Sequence, residues 1–548
     1  MALTAPSNKQ QPLGFATAVS CVLVSLGLNV LAFPNPVFEK GLGFPAWIAL
    51  APLFAILPDR KPRSAALWGM VYGIAFYALS NYWLWIYHPV ALIIACLYAA
   101  FCLAILFPAL VLAVRGLPGA GFLTFPFLWL SYEVLRSRGF MGYPYGVLGY
   151  AFWRDRAILG LASAGGVWLV SLAALGVNAA AGYALRTFLL DRSRAEGQGA
   201  RELPWKALAA AACIVAVSYA AGTLLGTRWE PRGYFRAALV QPAYRERQRS
   251  IQDYRNMADR LIRLTEEVRP EKPDLIVWHE TAIVPPLGWH LRFRPNRETL
   301  DLALRLDGYI RGLDVPLLFG NGRAEPAGPD TGSRKNWNSA FLFAEGREVD
   351  WYDKMRLVPY SETFPPAKIL PGIAAIIEAE VGQFWEAGER ITVFRSGGAG
   401  FSVPICFEDS FGEHTRAMAA AGAEFLVVLT DDAWGKSAQC QYYHLTQSAL
   451  RAAELGIPIA RTANTGATAL LGPDGTLKAE LPPFQEGILR VDIPLPPASF
   501  RGTIYRRIGA AVAWFGLAVS AAVLALALAY VLREPREKAG AERFGARS

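Results

Sequence analysis

Residues 401–430, FSVPICFEDSFGEHTRAMAAAGAEFLVVLT, contain two short and almost entirely apolar runs, 401–406 and 424–430. Strands that are apolar at nearly every position, and not only at alternate ones, are typical of sheets buried on both faces. Similar runs recur through the middle of the chain, and helical patterns such as the one over 251–268 separate them. This alternation predicts an α/β domain in which helices cover the sheets.

The remaining elements of this domain follow from the same patterns. A second amphipathic helix is expected over 439–455, and Pro473-Asp474-Gly475 is expected to close a hairpin. A water-soluble domain over 227–504 is long enough to bury its own core. The other predicted strands are 237–242, 274–280, 315–320, 337–344, 391–395 and 457–463.

The two ends of the chain are far more apolar than its middle. Hydrophobic residues make up 53% of the 548 residues and charged residues only 18%, against about a quarter in soluble proteins. Runs near the length that crosses a bilayer predict a membrane domain over 1–226 with about seven transmembrane helices, and a final helix with a tail over 505–548. The predicted spans are 14–33, 43–58, 65–87, 89–114, 119–135, 157–185, 206–226 and 508–532.

The spans 43–58 and 119–135 are short for a full crossing, so one of them is a candidate for a buried or tilted segment. The formal net charge of +9 is interpreted as membrane topology, and no nucleic-acid partner is predicted. If the N-terminus with Lys9 is cytoplasmic, basic residues such as those at 60–63 collect in the cytoplasmic loops. This orientation places 227–504 outside the cytoplasm and the C-terminal tail inside.

Several arginines fall on the outer side in this topology, where we expect them at the level of the lipid headgroups, in contact with phosphates. They are Arg136, Arg138, Arg154, Arg156, Arg501, Arg506 and Arg507.

Three reactive side chains stand out in the soluble domain. Glu280 ends the strand 274–280, Cys406 ends the strand 401–406, and Lys354 lies between them in a proline-bounded loop. Functional groups gather at the carboxyl ends of strands in α/β sheets. A carboxylate that takes the thiol proton, a thiolate that attacks a carbonyl and an ammonium that stabilises the oxyanion are what thiol acyl transfer requires. Each residue by itself also has an ordinary structural interpretation, since a lone Cys is more often a core residue.

No metal site and no cofactor are predicted. The six cysteines have no paired spacing, which excludes a zinc site and a disulfide framework. The four histidines of the soluble domain have no ligand-like spacing and are interpreted as surface or hydrogen-bonding residues. They are His279, His290, His414 and His444.

The Glu280, Lys354 and Cys406 set resembles the nitrilase, or carbon–nitrogen hydrolase, superfamily. The segments 336–340, 430–434, 451–454 and 461–466 are also similar to it. A domain of this kind placed before one last span and after about seven others resembles the apolipoprotein N-acyltransferase family. The membrane segments 45–53 and 142–150 agree with that family. The resemblance implies an α-β-β-α sandwich beside a multi-pass α-helical membrane domain of about eight transmembrane helices.

The same resemblance implies the last step of bacterial lipoprotein maturation. A phospholipid donor, expected to be phosphatidylethanolamine, acylates Cys406 as a thioester. The acyl chain then passes to the N-terminal amino group of S-diacylglyceryl-cysteine in an apolipoprotein, in a ping-pong reaction. The enzyme is expected to be a monomer in the bacterial inner membrane, with its catalytic domain on the periplasmic side.

The resemblance also implies a role for each site residue. Glu280 is the general base, and Lys354 stabilises the tetrahedral intermediates. Glu362 and Glu408 match supporting residues of the family, and the backbone N–H of Phe407 is a candidate oxyanion donor.

Three positions depart from the family pattern, which leaves the donor preference open. Phe407 stands where the family often has Tyr, Ser361 where it often has Gly, and Pro242 where the opening strand often has Gly.

Two other functions remain as alternatives. A membrane-anchored amidase or nitrilase would use the same three residues with water as the acyl acceptor, although one anchoring helix would suffice for it. A transporter with a degenerate sensory domain would be expected to carry charged residues inside its spans, and the central parts of these spans have almost none.

Overall fold

The computed structural model describes residues 13–117, 119–192, 204–245, 248, 250–328, 334–381 and 384–545. The chain forms two compact units, Met1–Leu225 with Ala510–Ser548 and Gly226–Gly509. Lys9 lies outside the described residues, so the orientation inferred from loop charge stays a prediction. The assignment of 1–226, 227–504 and 505–548 to membrane and aqueous regions stays a prediction as well.

The first unit is built from apolar helices. Five described helices are long and apolar enough to cross a membrane: Phe15–Ala32, Pro89–Gly116, Arg156–Asp191, Trp205–Leu225 and Ala511–Arg533. The predicted number of about eight crossings therefore stays a prediction. In chain order the helices are α1 (Phe15–Ala32), α2 (Ala51–Ile56), α3 (Pro62–Ser80), α4 (Trp83–Tyr87), α5 (Pro89–Gly116), α6 (Gly121–Arg136), α7 (Arg156–Arg192), α8 (Trp205–Leu225) and the final helix Ala511–Gly545.

The short run 43–58 is a broken helical segment, in which two 3₁₀ turns enclose the buried helix α2. Asn178 of α7 holds its start, because its side-chain oxygen accepts hydrogen bonds from the N–H groups of Leu50 (2.6 Å) and Ala51 (3.1 Å). Backbone N–H groups that lack an intrahelical partner are costly in an apolar environment. A buried asparagine therefore makes this break in the helix possible.

Arg136, at the end of α6, is buried, and the prediction that it contacts lipid phosphates is wrong. Its guanidinium donates hydrogen bonds to the backbone carbonyls of Tyr143 (2.5 Å) and Tyr145 (2.6 Å). It also lies over the aromatic rings of Tyr77 and Tyr132. Burial of a guanidinium requires such partners, so Arg136 holds the following loop in place.

The second unit contains two six-stranded sheets. The strands are β1 (Gly233–Gln241), β2 (Leu275–Val277), β3 (Leu317–Pro326), β4 (Arg334–Ala344), β5 (Arg347–Asp353), β6 (Phe394–Ser396), β7 (Ala399–Ser402), β8 (Phe425–Thr430), β9 (Ile459–Ala463), β10 (Thr468–Leu471), β11 (Leu477–Leu481) and β12 (Gly487–Leu495). The helices are α9 (Ile251–Val268), α10 (Leu287–Phe293), α11 (Arg297–Arg311), α12 (Pro371–Val381), α13 (Gly412–Ala420), α14 (Ala438–Leu455) and α15 (Ile504–Ile508).

The two sheets have the same plan. Their strand orders are β12-β1-β2-β3-β4-β5 and β11-β10-β9-β8-β7-β6, and in each sheet three neighbouring strands are parallel. Phe235 of β1 packs against Phe401 of β7 and Phe425 of β8, which shows that the sheets face each other.

Helices cover the outer faces of both sheets. On the first sheet, Leu261 of α9 and Leu306 of α11 lie in one buried cluster with Trp278, the residue that follows β2. On the other side α14 contacts β9 and β10. The α-β-β-α sandwich is the predicted fold, and the fold class is confirmed.

The predicted strands and helices of this unit are present, with shifted ends. The hairpin at Pro473-Asp474-Gly475 joins antiparallel β10 and β11, and Gly475 has the positive φ (76°) that such a turn requires. The prediction missed β5, β10, β11 and β12, which are short or have polar residues facing outward. It also overextended β7, which ends at Ser402, four residues before Cys406.

Candidate active site

The three predicted reactive residues all follow the ends of strands. Glu280 comes three residues after β2, and Lys354 directly follows β5. Cys406 begins a 3₁₀ turn, Cys406–Ser410, a few residues after β7. Strand β2 belongs to one sheet and β7 to the other. Because the two sheets face each other, the ends of these strands bring Glu280 and Cys406 to one site.

Lys354 is completely buried between two carboxylates. Its Nζ donates hydrogen bonds to Glu280 Oε1 (3.2 Å) and to Glu362 Oε1 (2.8 Å). Burial alone would lower the pKa of the ammonium, but the charges of Glu280 and Glu362 outweigh it and hold that pKa well above its usual range. Lys354 therefore stays a cation and cannot serve as the base.

Asn338 of β4 joins the two carboxylates. Its side-chain amide donates to Glu280 Oε1 (2.8 Å) and, at a longer distance, to Glu362 Oε1 (3.4 Å). Its backbone carbonyl accepts the N–H of Lys354 (2.8 Å). One β4 residue thus fixes three members of the site.

The two glutamates have different surroundings. The Oε2 atom of Glu280 accepts a hydrogen bond from the N–H of Asp431 (2.9 Å), and the Oε2 atom of Glu362 accepts one from the N–H of Val358 (2.8 Å). Burial raises the pKa of Glu362, while the charge of Lys354 opposes that rise. Two carboxylates and one ammonium give this group an excess of one negative charge when all are ionised, so a proton is readily shared in it.

Cys406 has an unusual backbone conformation for a residue with a side chain. Its φ is +52°, in the left-handed region that favours glycine. Its thiol is close enough to Glu280 and Lys354 for their charges to act on it. Burial, with the charges of Glu280 and, less strongly, Asp432 in addition, raises the pKa of the thiol well above its usual range, and Lys354 opposes that shift. The resting thiol is therefore protonated, and its reaction requires a base.

Glu408 ties the cysteine turn to the lysine loop. One of its oxygens accepts the N–H of Ile405 (2.8 Å), and the other accepts the N–H groups of Met355 (2.7 Å) and Arg356 (3.0 Å). Burial would raise the pKa of Glu408, but His414 and these N–H donors hold it below its usual range. The carboxylate stays ionised and has a structural part in the site.

The N–H of Phe407 lies in the first turn of the 3₁₀ segment, where N–H groups lack partners from the helix itself. It donates no hydrogen bond to any residue within the described ranges. The Phe407 ring packs edge-to-face against Phe411, with ring centroids 4.9 Å apart. That position agrees with an oxyanion donor, which stays a prediction.

A second group of charges lies beside Cys406. Asp409 comes from the same turn, Asp432 follows β8, His444 is on α14 and Arg461 is on β9, and all four are buried. One atom of Cys406, Asp432 and His444 each lies within 4.8 Å of the other two. Because the Arg461 guanidinium already contacts Asp432 (2.6 Å) and His444 (2.9 Å), we do not interpret this grouping as a metal site.

The prediction that these four histidines lie at the surface is wrong. His279, His290, His414 and His444 are all buried. Burial lowers the pKa of His279 to about 4, so this imidazole is neutral. For His444, burial and Arg461 act to lower the pKa, but Asp432 and Asp409 raise it to about 9. The reading as hydrogen-bonding residues holds for His279, His414 and His444.

Sequence reasoning assigned no role to Asn338, Asp409, Asp431, Asp432, His444 or Arg461. The segments 336–340, 430–434 and 461–466 carried a signal, because they hold four of these six residues and supported the family resemblance. Asp409 and His444 had no local signal of their own.

Comparison with known proteins gives matches over most of the chain. Residues 27–180 match the family model described as apolipoprotein N-acyltransferase N-terminal domain. Residues 236–499 match the one described as carbon-nitrogen hydrolase.

Two full-length relatives bear the same name. The chain is 33% identical to Apolipoprotein N-acyltransferase 1 of Treponema pallidum (strain Nichols), over 92% of this chain and 94% of that protein. It is 31% identical to the apolipoprotein N-acyltransferase of Geobacter metallireducens, over 91% of this chain and 93% of that protein. Among solved structures it is similar to an amidase from Nesterenkonia sp., with 23% identity and a TM-score of 0.36, covering 49% of this chain and 93% of that one.

Proposed function

Because the chain belongs to the apolipoprotein N-acyltransferase family, we propose that it is the enzyme that N-acylates lipoproteins. In this proposal an acyl chain moves from a phospholipid, with phosphatidylethanolamine as the expected donor, to Cys406 and forms a thioester. It then moves to the N-terminal amino group of the S-diacylglyceryl-cysteine of an apolipoprotein. Relatives that bear this name and match more than nine-tenths of this chain support the proposal.

The observation that carries the mechanism is the buried contact of Lys354 with Glu280 beside a strained Cys406. It supplies a fixed cation and a carboxylate at one place. A backbone held in a rarely populated conformation at a reactive residue is often part of a mechanism.

In the first half-reaction the Cys406 thiol gives its proton to Glu280, and the thiolate adds to the ester carbonyl of the phospholipid. Lys354 and the N–H of Phe407 stabilise the resulting oxyanion. When the ester C–O bond breaks, Glu280 returns the proton to the departing oxygen of the lysophospholipid. The acyl chain remains on Cys406 as a thioester.

In the second half-reaction the neutral amino group of the apolipoprotein adds to the thioester carbonyl. Glu280 takes a proton from the nitrogen, and the same donors stabilise the second oxyanion. The C–S bond then breaks, the amide is complete, and the proton returns to Cys406. Glu362 keeps Lys354 in position through both steps, and Glu408 keeps the Cys406 turn against the lysine loop.

Both substrates are lipids, which gives the apolar helical unit a purpose. Moving an acyl chain fully into water would cost about 0.8 kcal/mol for each CH₂ group. We therefore place the enzyme in the bacterial inner membrane, with the catalytic unit on the periplasmic side, as a monomer. A membrane-anchored amidase with water as acceptor is the competing function.

The test is the intact mass of the purified full-length protein after incubation with vesicles of phosphatidylethanolamine. We expect one acyl adduct that hydroxylamine removes, as it removes thioesters. Cys406→Ala is expected to carry none, and Cys213→Ala, which changes an exposed cysteine of α8, is expected to acylate like the wild type. Adding a diacylglyceryl-cysteine peptide should then clear the adduct and yield the N-acylated peptide.

A folded wild-type protein that forms no adduct would contradict the thioester. Release of ammonia from small amides in the absence of phospholipid would favour the amidase.

A further inference from the structure

The buried group Asp409, Asp432, His444 and Arg461 has no part in the mechanism above, although it lies next to the nucleophile. We name it the rear cluster. Its members come from four different parts of the chain, the Cys406–Ser410 turn, the segment after β8, α14 and β9. Burying four ionised groups is costly unless they are paired and hydrogen-bonded, and this arrangement satisfies that condition.

His444 is at the centre of the rear cluster. Its Nδ1 lies 3.0 and 3.2 Å from the two carboxylate oxygens of Asp432, and its Nε2 lies 3.0 Å from Asp409 Oδ1. A neutral imidazole has a proton on only one nitrogen and would turn a lone pair toward a carboxylate on the other side. Two carboxylates, one at each nitrogen, therefore favour the doubly protonated imidazolium.

Arg461 also lies close to the Nδ1 atom of His444. Its guanidinium lies 2.9 Å from His444 Nδ1 but also 2.6 Å from Asp432 Oδ2 and 3.1 Å from Asp409 Oδ2. The two cations thus share the two carboxylates. The charges of two aspartates, one arginine and one imidazolium sum to zero, whereas a neutral His444 would leave one buried negative charge unbalanced.

The rear cluster is connected to Cys406 in two ways. An atom of Asp432, an atom of His444 and the Sγ of Cys406 lie within 4.8 Å of one another. Asp409, which His444 holds, is three residues after Cys406 in the same 3₁₀ turn and also accepts a hydrogen bond from the Ser448 hydroxyl. The imidazolium is therefore close to Sγ and also anchors the turn that gives Cys406 its left-handed φ.

We propose that His444 is a positioning residue for Cys406, whose fixed imidazolium stabilises the thiolate from the side of the rear cluster. This inference rests on the proposed function, in which Cys406 is the nucleophile. With both ring nitrogens occupied by aspartates, His444 does not accept the thiol proton, so Glu280 remains the base. The role of His444 is to offset the charge of Asp432, which disfavours the thiolate, and so to favour the ionised sulfur after Glu280 has taken the proton.

A purely structural role for His444 is the competing explanation, in which it only balances the buried aspartates. The charged groups that face the ring are Asp409 from the turn, Asp432 after β8 and Arg461 from β9, and Ser448 lies next to them on α14 itself. The two explanations predict different reactivity of the Cys406 thiol in a variant that removes the imidazolium but keeps the rear cluster neutral.

The double variant His444→Gln with Asp409→Asn has this property, since Asp432 and Arg461 remain as a balanced pair. Both replacements are close in size to the original residues and keep hydrogen-bonding groups. The single variant His444→Gln is measured in parallel, and His290→Gln, which alters a buried histidine outside the rear cluster, is the matched control.

The measurement is the rate of Cys406 alkylation by iodoacetamide in the full-length protein from pH 6 to 10, located by the mass of the Cys406 peptide. Iodoacetamide reacts with the thiolate and requires neither lipid substrate. A single charge at this distance acts strongly in a buried site. Because the raised pKa of the Cys406 thiol keeps most of it protonated over this range, we expect the rate in the double variant to be roughly tenfold lower at each pH, which corresponds to a rise in the thiol pKa of about one unit.

A double variant that folds and has the wild-type pH profile would overturn the inference and leave the structural explanation. His290→Gln is expected to keep the wild-type profile, and an equal shift in that variant would also overturn the inference. A folded wild-type protein that forms no hydroxylamine-labile acyl adduct with phosphatidylethanolamine vesicles would overturn the nucleophile of the proposed function itself. The two failures are therefore distinguishable.

Discussion

Two buried charged clusters lie near Cys406, and they differ in their balance of charge. In the first, Lys354 contacts both Glu280 and Glu362, so one positive charge faces two negative ones. In the second, the rear cluster, Arg461 and His444 face Asp409 and Asp432, and positive and negative charges are equal in number.

This difference has opposite consequences for the pKa values. In the unbalanced cluster, burial raises the pKa of Glu362 toward neutrality. In the rear cluster, burial would raise the pKa of Asp432, but His444 and Arg461 lower it to about 2. The pKa of His444 is raised to about 9. The first cluster is thus suited to exchanging a proton, and the second stays ionised over the whole physiological range.

The largest expected effect is the loss of stability when the rear cluster loses the charge of Arg461. Arg461→Leu leaves two buried aspartates with only His444 as a cation. Breaking a buried ion pair by removing one partner typically costs about 3–5 kcal/mol. We expect a loss of thermal stability of that order, measured by the melting temperature of the solubilised full-length protein.

Arg490→Leu is the matched control for Arg461→Leu. Arg490 pairs with Glu271 at the surface, where such pairs are worth less than about 1 kcal/mol. Equal losses in the two variants would show that the rear cluster has no special structural weight.

A substitution in the unbalanced cluster is expected to change the activity more than the stability. Glu362→Gln removes the excess negative charge and keeps an acceptor for the N–H of Val358, so the melting temperature should stay the same or rise. Lys354 then pairs with Glu280 alone and loses a partner that positions it. We expect the rate of acyl-adduct formation to fall about 10²-fold, in line with the loss of one preorganised electrostatic contact.

Glu413→Gln, which changes a surface partner of Arg416, should leave that rate unchanged. A stable Glu362→Gln protein with the wild-type rate would contradict the assigned role of Glu362.

The most gradual effect is the pH dependence of stability. The folded pKa of His444, about 9, is above its unfolded value of 6.5, so its contribution is complete below pH 6.5 and is lost as the pH rises through 9. Over that window the free energy of unfolding should fall by up to about 1.4 kcal/mol per pH unit. The melting temperature measured from pH 6 to 10 should therefore fall more steeply for the wild type than for His444→Gln. Equal slopes would show that His444 is neutral in the folded protein.

Much of this molecule followed from local sequence pattern. The apolar runs predicted the helical unit and the buried sheets, because burial on both faces requires apolar residues at nearly every strand position. Glu280, Lys354 and Cys406 were found because strand ends and a proline-bounded loop mark them. The family resemblance added Glu362 and Glu408, which the structure places in contact with Lys354 and with the Cys406 turn, respectively.

Only the tertiary structure decided which charges are paired. His444 and Asp409 are 35 residues apart and Arg461 and Asp432 are 29 apart, on elements that meet only when the second sheet has formed. Arg136 likewise faces backbone carbonyls and not lipid, because a loop folds back over the end of α6. Local periodicity fixes which face of an element is apolar. The partners of a buried charge depend on how distant elements pack, since an ionised group remains in a protein interior only where opposite charges or hydrogen bonds reach it.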